Sequence, residues 1–276
     1  MKKIAWLLFI FTCCISVYAQ NIKKIYAKAD AYHQAGDFDK AIEAYTKVLK
    51  KDSTYWLAWV NRGSCYTALG QLDKMINDFE HALRIEPNDT FAIDRLADVY
   101  MRTGNYNKAI QYYKKNISLG YPFNYVTYGN LGSCYYFSGQ SDSARKYLKL
   151  SYDLNQTYTL TLNNLGWANL DYNPNESCRY FNEAYLMDSL DVKNINNLGY
   201  SHLLCGSLDK AYEYIHKAEQ LDPTNSFVYR NYGLYYLKKN DKVQACQNLQ
   251  KAIKLNIIED WGEIYVAELR AYCNEK

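Results

Sequence analysis

Residues 56–89, WLAWVNRGSCYTALGQLDKMINDFEHALRIEPND, decide how this chain folds. Within them Trp59, Gly63, Tyr66, Gly70, Phe79, Ala82 and Pro87 stand at intervals that suit two helices parted by a turn at Gly70. The same spacing returns along the chain. Asn61-Arg62-Gly63 lines up with Asn130-Leu131-Gly132, Asn164-Leu165-Gly166, Asn197-Leu198-Gly199 and Asn231-Tyr232-Gly233, and Ala29 and Ala97 fill the two remaining small places. From residue 29 the steps are 34, 34, 35, 34, 33 and 34 residues. In most copies a tyrosine follows three residues later, at Tyr32, Tyr66, Tyr100, Tyr135 and Tyr236. A turn glycine comes four further on at Gly36, Gly70, Gly104, Gly139 and Gly206, and Ala41, Ala109, Ala144, Ala211 or Ala245 opens a second apolar run.

This pattern resembles the tetratricopeptide repeat family, whose helix-turn-helix unit of about 34 residues carries Trp, Leu-Gly, Tyr, Ala, Phe, Ala and Pro at set places. The resemblance implies an all-α fold, an α-solenoid superhelix of about seven repeats plus a C-terminal capping helix. The copies are expected over about 22–55, 56–89, 90–124, 125–158, 159–191, 192–225 and 226–259. Ala267 lies 34 residues beyond Gly233, so 260–276 reads as the capping helix. The physics holds without the family name. A small residue on the first helix lets its partner approach to the 8–10 Å of packed helices, and stacked neighbours supply the core that one pair lacks.

Two departures stand out. Asn116 occupies a second-helix place where alanine is usual, which predicts looser packing in the third copy. In the fifth, Asn173-Pro174-Asn175-Glu176 replaces the turn glycine, a helix stop followed by proline near a new N-terminus.

The start of the chain has Lys2 and Lys3, an apolar stretch from Ile4 to Val17, then Tyr18-Ala19-Gln20. This layout predicts a signal peptide over 1–19, cleaved after Ala19. The alternatives are an uncleaved anchor, although the stretch is shorter than the roughly 20 residues that span a bilayer, and lipidation at Cys13 or Cys14. Export would place the mature chain in the periplasm or cell envelope of a bacterium, or outside another cell. No stable membrane span is expected after cleavage.

Composition agrees with a helical repeat. The chain has 276 residues, 30 of them tyrosine, with only 4 proline and 13 glycine, which excludes disordered and collagen-like chains and disfavours turn-rich β folds. Lys and Arg total 32 against 29 Asp and Glu, a near-balance without the basic field of a nucleic-acid binder.

Six cysteines lie beyond the signal. Cys65 and Cys134 share one repeat position, Cys178 and Cys246 another, Cys205 and Cys273 a third. Members of each couple are two repeats apart, too far for a disulfide. Cys178 and Cys205, however, fall at neighbouring helix ends on one edge, and Cys246 and Cys273 repeat that 27-residue separation. The spacing permits two equivalent disulfides, each worth about 3.5 kcal/mol in the chain-entropy model. Buried thiols are the competing reading, since cysteine packs well as a small hydrophobe.

No chemistry of catalysis stands out. His33, His81, His202 and His216 lack metal-ligand spacing, and there is no CxxC pair, Walker loop or nucleophile elbow. Asp94 and Asp98 share a helical face without a third ligand from a neighbouring copy, so they are expected to be a solvated acidic face. No cofactor, metal or enzymatic activity is expected.

Binding remains. In a tetratricopeptide superhelix the first helices line the concave surface. Two places before the small residue stand Asn130, Asn164, Asn197 and Asn231, and in related superhelices such an amide pairs with the backbone of an extended peptide. Local helix packing is the alternative use of these asparagines. Tyr136, Trp167, Tyr200 and Phe227 offer apolar surface nearby. The expectation is an exported, non-enzymatic scaffold that binds a protein or peptide in its concave groove. The alternatives are a structural subunit of an envelope assembly using its convex face, or a binder of glycan or another small ligand.

Overall fold

The structure is a computed structural model and describes residues 2–120, 124–255 and 273, with side chains from residue 18 onward. Its described residues form fourteen helices and no strand, the all-α fold expected from the repeat. The chain divides into two compact units, Met1–Phe123 and Asn124–Lys276. The first holds α1 (Lys2–Gln34), α2 (Phe38–Lys51), α3 (Trp56–Ala68), α4 (Leu72–Ile85), α5 (Thr90–Arg102) and α6 (Tyr106–Ser118). The second holds α7 (Tyr125–Phe137), α8 (Ser141–Leu154), α9 (Thr159–Asn169), α10 (Pro174–Met187), α11 (Val192–Leu204), α12 (Leu208–Leu221), α13 (Ser226–Lys238) and α14 (Lys242–Lys254). The expected capping helix over 260–276 lies outside the described residues except for Cys273. Among the described residues no helix is long and apolar enough to cross a membrane.

Five of the hairpins, all but the fifth and sixth, close in one way. The amide of the residue after the turn glycine donates to the carbonyl of the repeat tyrosine five positions earlier, as from Gln71 to Tyr66 at 2.9 Å and from Gln140 to Tyr135 at 2.8 Å. This is a helix stop that needs a left-handed residue, and Gly70 and Gly139 have φ of 68° and 77°. In the seventh copy Asn240 takes the glycine's place at φ 58°, a conformation asparagine tolerates better than most residues. The fifth copy stops differently. Asn173 caps α10 by accepting from the Glu176 amide, and Pro174 is the first helical residue, where its missing N–H costs nothing.

The core of each pair forms where the small residue meets the second helix. Gly63 faces Phe79, Gly132 faces Leu148, Gly166 faces Phe181, Gly199 faces Ile215 and Gly233 faces Leu249. All five of these partner side chains are buried. Between copies, the aromatic residue four places before the small one ties the incoming loop. Trp59 Nε1 donates to the Ser53 carbonyl at 2.8 Å, and Tyr229 OH to the Pro223 carbonyl at 2.8 Å.

Asn116 does not loosen its copy in the expected way. It is fully buried, and neither its amide nitrogen nor its oxygen has a hydrogen-bond partner. The equivalent places hold Ala82, Ala184, Ala218 and Ala252. An unsatisfied buried polar group costs about 1–3 kcal/mol, so Asn116→Ala is expected to stabilise the chain by about 1 kcal/mol, read as a higher urea midpoint at unchanged slope. A lower midpoint would mean that the volume lost outweighs the polarity removed.

Candidate functional site

Three of the four asparagines proposed as a ladder for a peptide backbone, Asn164, Asn197 and Asn231, donate to the preceding repeat. Asn164 Nδ2 donates to Ser133 Oγ at 2.6 Å, and Asn197 Nδ2 to Asn163 Oδ1 at 2.8 Å. Asn231 donates to both the Asn196 side-chain oxygen at 2.8 Å and its carbonyl at 3.1 Å. Asn61 does the same in the first unit, donating to Tyr26 OH at 2.6 Å. In each case the amide reaches back 31 to 35 residues, to the first helix of the preceding copy. Asn130, Asn164 and Asn231 are buried and only Asn197 is half-buried. The local-packing alternative describes these amides: one polar position per repeat clamps successive first helices together, and its donors are spent inside the scaffold.

The aromatic residues form a connected track within the second unit. Trp167 lies 5.4 Å from Tyr200 between ring centres, and packs edge-on against buried Phe181 at 5.5 Å. The Arg230 guanidinium sits 4.4 Å from the Tyr200 ring and 5.8 Å from Phe227, joining two residues that repeat spacing alone does not connect. Tyr136 packs edge-on against Phe137 at 5.3 Å. Burial pushes its phenol upward, and Asp171 and Tyr200 act in the same direction, which places all three in electrostatic reach. Tyr136, Trp167, Tyr200 and Phe227 are each half-buried, and Phe137, Leu160 and Leu204 are exposed.

Arg230 is the residue that repeat reading missed. It stands three places before Gly233, where the copies behind it carry Gly129, Asn163 and Asn196. Its side chain is 3% exposed, and burial lowers the guanidinium to about 10. Arg230 Nε donates to Asn231 Oδ1 at 3.0 Å, so the aromatic track and the asparagine clamp share a member. A single basic residue in that column, which otherwise holds Tyr26, Val60, Asp94, Gly129, Asn163 and Asn196, is its signal in the sequence.

Asp98 also serves the scaffold rather than a solvated acidic face. Tyr113 OH donates to Asp98 Oδ1 at 2.8 Å, and Tyr45 OH to Asp30 Oδ1 at 3.3 Å, the equivalent pair in the first copy. Where the second helix has Phe79 or Leu148 instead of tyrosine, the first helix has Ser64 or Ser133 instead of aspartate. Asp94 pairs with Arg95 at 2.6 Å. Among the described residues no group of three or more His, Cys, Asp or Glu is placed to hold a metal.

Cys178 and Cys205 are bonded to one another in the structure, and so are Cys246 and Cys273. Their Cα atoms are 7.6 and 5.5 Å apart. Cys65 is a buried thiol, which burial pushes up to about 11, so it is not poised to react.

Three family models described as tetratricopeptide repeat match residues 26–89, 89–157 and 192–225, together more than half of the chain. A TPR repeat-containing protein of Methanocaldococcus jannaschii is 24% identical over 259 residues, which are 86% of this chain and 39% of that protein. The chain thus spans about two fifths of that relative's length. A solved tetratricopeptide repeat protein from Parabacteroides merdae superposes with a TM-score of 0.67 at 17% identity, over 93% of this chain and 100% of the other. YrrB, described as a TPR protein with an unusual peptide-binding site, superposes with a TM-score of 0.59 at 20% identity, over 72% of this chain and 99% of its own. At these identities the two structural likenesses speak for the fold.

Proposed function

We propose that this chain, which belongs to the tetratricopeptide repeat family, is an exported, non-enzymatic scaffold that binds a protein or peptide segment along the first helices of its second unit. Tetratricopeptide proteins bind protein partners, and one observation carries the reading to this place. Trp167, Tyr200 and Phe227 are half-exposed and linked through Arg230, Tyr136 is half-exposed on the first helix of the preceding copy, and Leu160 and Leu204 are exposed on the same first helices as Trp167 and Tyr200. Aromatic anchors of this kind dominate binding energy at protein interfaces. With the asparagine amides turned inward, side-chain burial on the track does the recognising, and backbone capture is left to half-buried Asn197. Export is supported by the apolar N-terminal stretch and by the two cysteine pairs, which suit an oxidising compartment.

The test begins with photocrosslinking from Leu160 and Leu204 in native cells, to identify the segment that lies on the track. Trp167→Ala and Tyr200→Ala are then expected to weaken binding of the purified segment by about 2 kcal/mol each, some thirtyfold, in variants that circular dichroism shows to be folded at the assay temperature. Asn231→Ala is expected to leave the affinity in place and to cost about 1–3 kcal/mol of stability, through the two bonds its amide donates to Asn196 and the one it accepts from Arg230. Unchanged affinity in both aromatic variants would reject the groove.

A second reading, a structural subunit of an envelope assembly, is favoured by apolar side chains exposed outside the first helices. Leu154, Leu186, Met187 and Leu221 stand exposed near the ends of α8, α10 and α12. A stoichiometric complex of constant size in native gels, unaffected by Trp167→Ala, would favour this reading over the groove.

A further inference from the structure

In the first three copies, the tyrosine that follows the small position is covered by a lysine of the chain itself. Lys40 Nζ lies 5.7 Å from the Tyr32 ring centre, Lys74 Nζ 5.5 Å from Tyr66, and Lys108 Nζ 4.6 Å from Tyr100. The lysine is eight residues after the tyrosine each time. An ammonium group is drawn to the negative face of the ring, so this is a built-in cation site used three times. In the seventh copy the tyrosine is Tyr236, and the residue eight places on is Gln244.

Tyr236 belongs to a closed circuit of four tyrosines, one on α12 and three on α13. Ring centres are 5.3 Å apart for Tyr212 and Tyr235, and 5.2 Å for Tyr235 and Tyr236. They are 6.4 Å apart for Tyr236 and Tyr232, and 5.8 Å for Tyr232 and Tyr212. Tyr212 is 39% exposed, Tyr235 and Tyr236 are half-buried, and Tyr232 is buried. Cations of this unit cover other rings: Lys217 lies over Tyr185, Arg230 over Tyr200 and Lys251 over Tyr229. Among the described residues none lies over the four tyrosines of the circuit.

The charged groups that bear on the circuit are carboxylates. Tyr232 OH donates to Glu219 Oε2 at 3.0 Å. Burial raises the Tyr236 phenol first, the neighbouring tyrosines next, then Asp241 and Glu219, with no cation opposing them. His216 stacks on Tyr212 at 5.9 Å, and its Nδ1 is 3.1 Å from Tyr232 OH and 3.5 Å from Glu219.

The geometry points to a site for a lysine side chain of a protein partner, with its ammonium on the faces of Tyr212, Tyr235 and Tyr236 and its counter-charge from Glu219 and Asp241. The partner supplies in the seventh copy what Lys40, Lys74 and Lys108 supply in the first three. The inference rests on the scaffold reading only in taking the partner to be a protein, and the site is separate from the Trp167–Tyr200 track.

The test uses the full mature chain and two pentapeptides, acetyl-Gly-Gly-Lys-Gly-Gly-amide and the same peptide with norleucine for lysine. Tyrosine ring signals are followed by NMR with selectively labelled protein. The lysine peptide is expected to shift the signals of Tyr212, Tyr235 and Tyr236, and the norleucine peptide to leave them in place. Gln244→Lys, a change at an exposed position on the first turn of α14, is expected to weaken the lysine peptide about tenfold by supplying the chain's own ammonium. Equal responses to the two peptides, or undiminished binding by the Gln244→Lys variant, would overturn the proposal. Trp167→Ala is expected to leave the peptide shifts unchanged, so loss of the groove and loss of this site are read apart.

Discussion

Gly166→Leu is expected to destabilise the second unit by about 3 kcal/mol or more, and Gly166→Ala by less, both read as a fall in melting temperature followed by circular dichroism. A Cβ built on Gly166 would stand 2.5 Å from two ring carbons of Phe181, and Phe181 is fully buried. Two effects oppose each other in the alanine variant. Replacing glycine inside a helix gains up to about 1 kcal/mol in propensity, while overpacking a close-packed core costs typically 1–3 kcal/mol. Overpacking should win here because the obstacle is a fully buried aromatic ring that packs edge-on with Trp167 at 5.5 Å, not the free end of a flexible chain. Reducing the obstacle supplies the control. In a Phe181→Leu background the alanine penalty should shrink, a coupling that a double-mutant cycle isolates. A stabilising Gly166→Ala would show that the ring or the helix pair can give way by the roughly 1 Å required at no net cost.

Arg62→Met is expected to cost the first unit about 3–5 kcal/mol at neutral pH, and markedly less in acid. Arg62 makes two bonds to Asp78, from Nε at 2.7 Å and from Nη2 at 2.8 Å, and a third from Nη1 to Thr46 Oγ1 at 2.9 Å. It thereby ties α2, α3 and α4. Its guanidinium also lies 4.8 Å from the Trp59 ring, which stacks on His81 at 4.4 Å. Asp78 is 1% exposed, and burial raises its carboxyl even against the pull of Arg62. Removing the guanidinium leaves that burial unopposed. The folded variant then binds a proton that the unfolded chain has released, between the ordinary carboxylate pKa and the raised one. Stability therefore falls as pH rises through that window and returns as pH drops. Replacing both partners, Arg62→Met with Asp78→Leu, should recover most of the loss, since an apolar pair of similar volume commonly matches a buried ion pair. Urea unfolding of the three variants at neutral and acid pH checks this. A loss that ignores pH would mean that packing against Trp59, not the stranded carboxylate, carries the effect.

These two sites differ in how far the sequence revealed them. Gly166 is legible because its role recurs: a small residue every 34 or so positions marks where two helices must approach closely. The partner ring at Phe181 takes the place of Phe79 and Leu148, one residue nearer its glycine because the turn of the fifth copy is one residue shorter. Arg62 and Asp78 are not legible, because the pair occurs in one copy and its members are 16 residues apart on different helices. The acidic groove residues were misjudged for a related reason. Asp98 looked like solvated charge until its acceptor role for Tyr113 was visible, although the alternation of Asp with Tyr and Ser with Phe or Leu between copies was already present in the letters. The turn at Asn240 carries no glycine to mark it in the sequence, and asparagine reaches the same left-handed conformation.

The sequence by itself determined the all-α repeat fold, since small residues, turn residues and apolar runs recur with the helix-pair period. It also offered the two cysteine pairs of the structure, because the start of one second helix and the end of the next first helix fall on one edge and both pairs share a 27-residue separation. Only the tertiary structure decided what the repeated asparagines do. An amide two places before the small residue has the same spacing whether it points to a ligand or to the preceding helix, and its partner lies 31 to 35 residues away. Periodicity reports which face a side chain occupies. Which neighbour accepts its hydrogen bond depends on the distance between stacked helices, and that distance is set by packing.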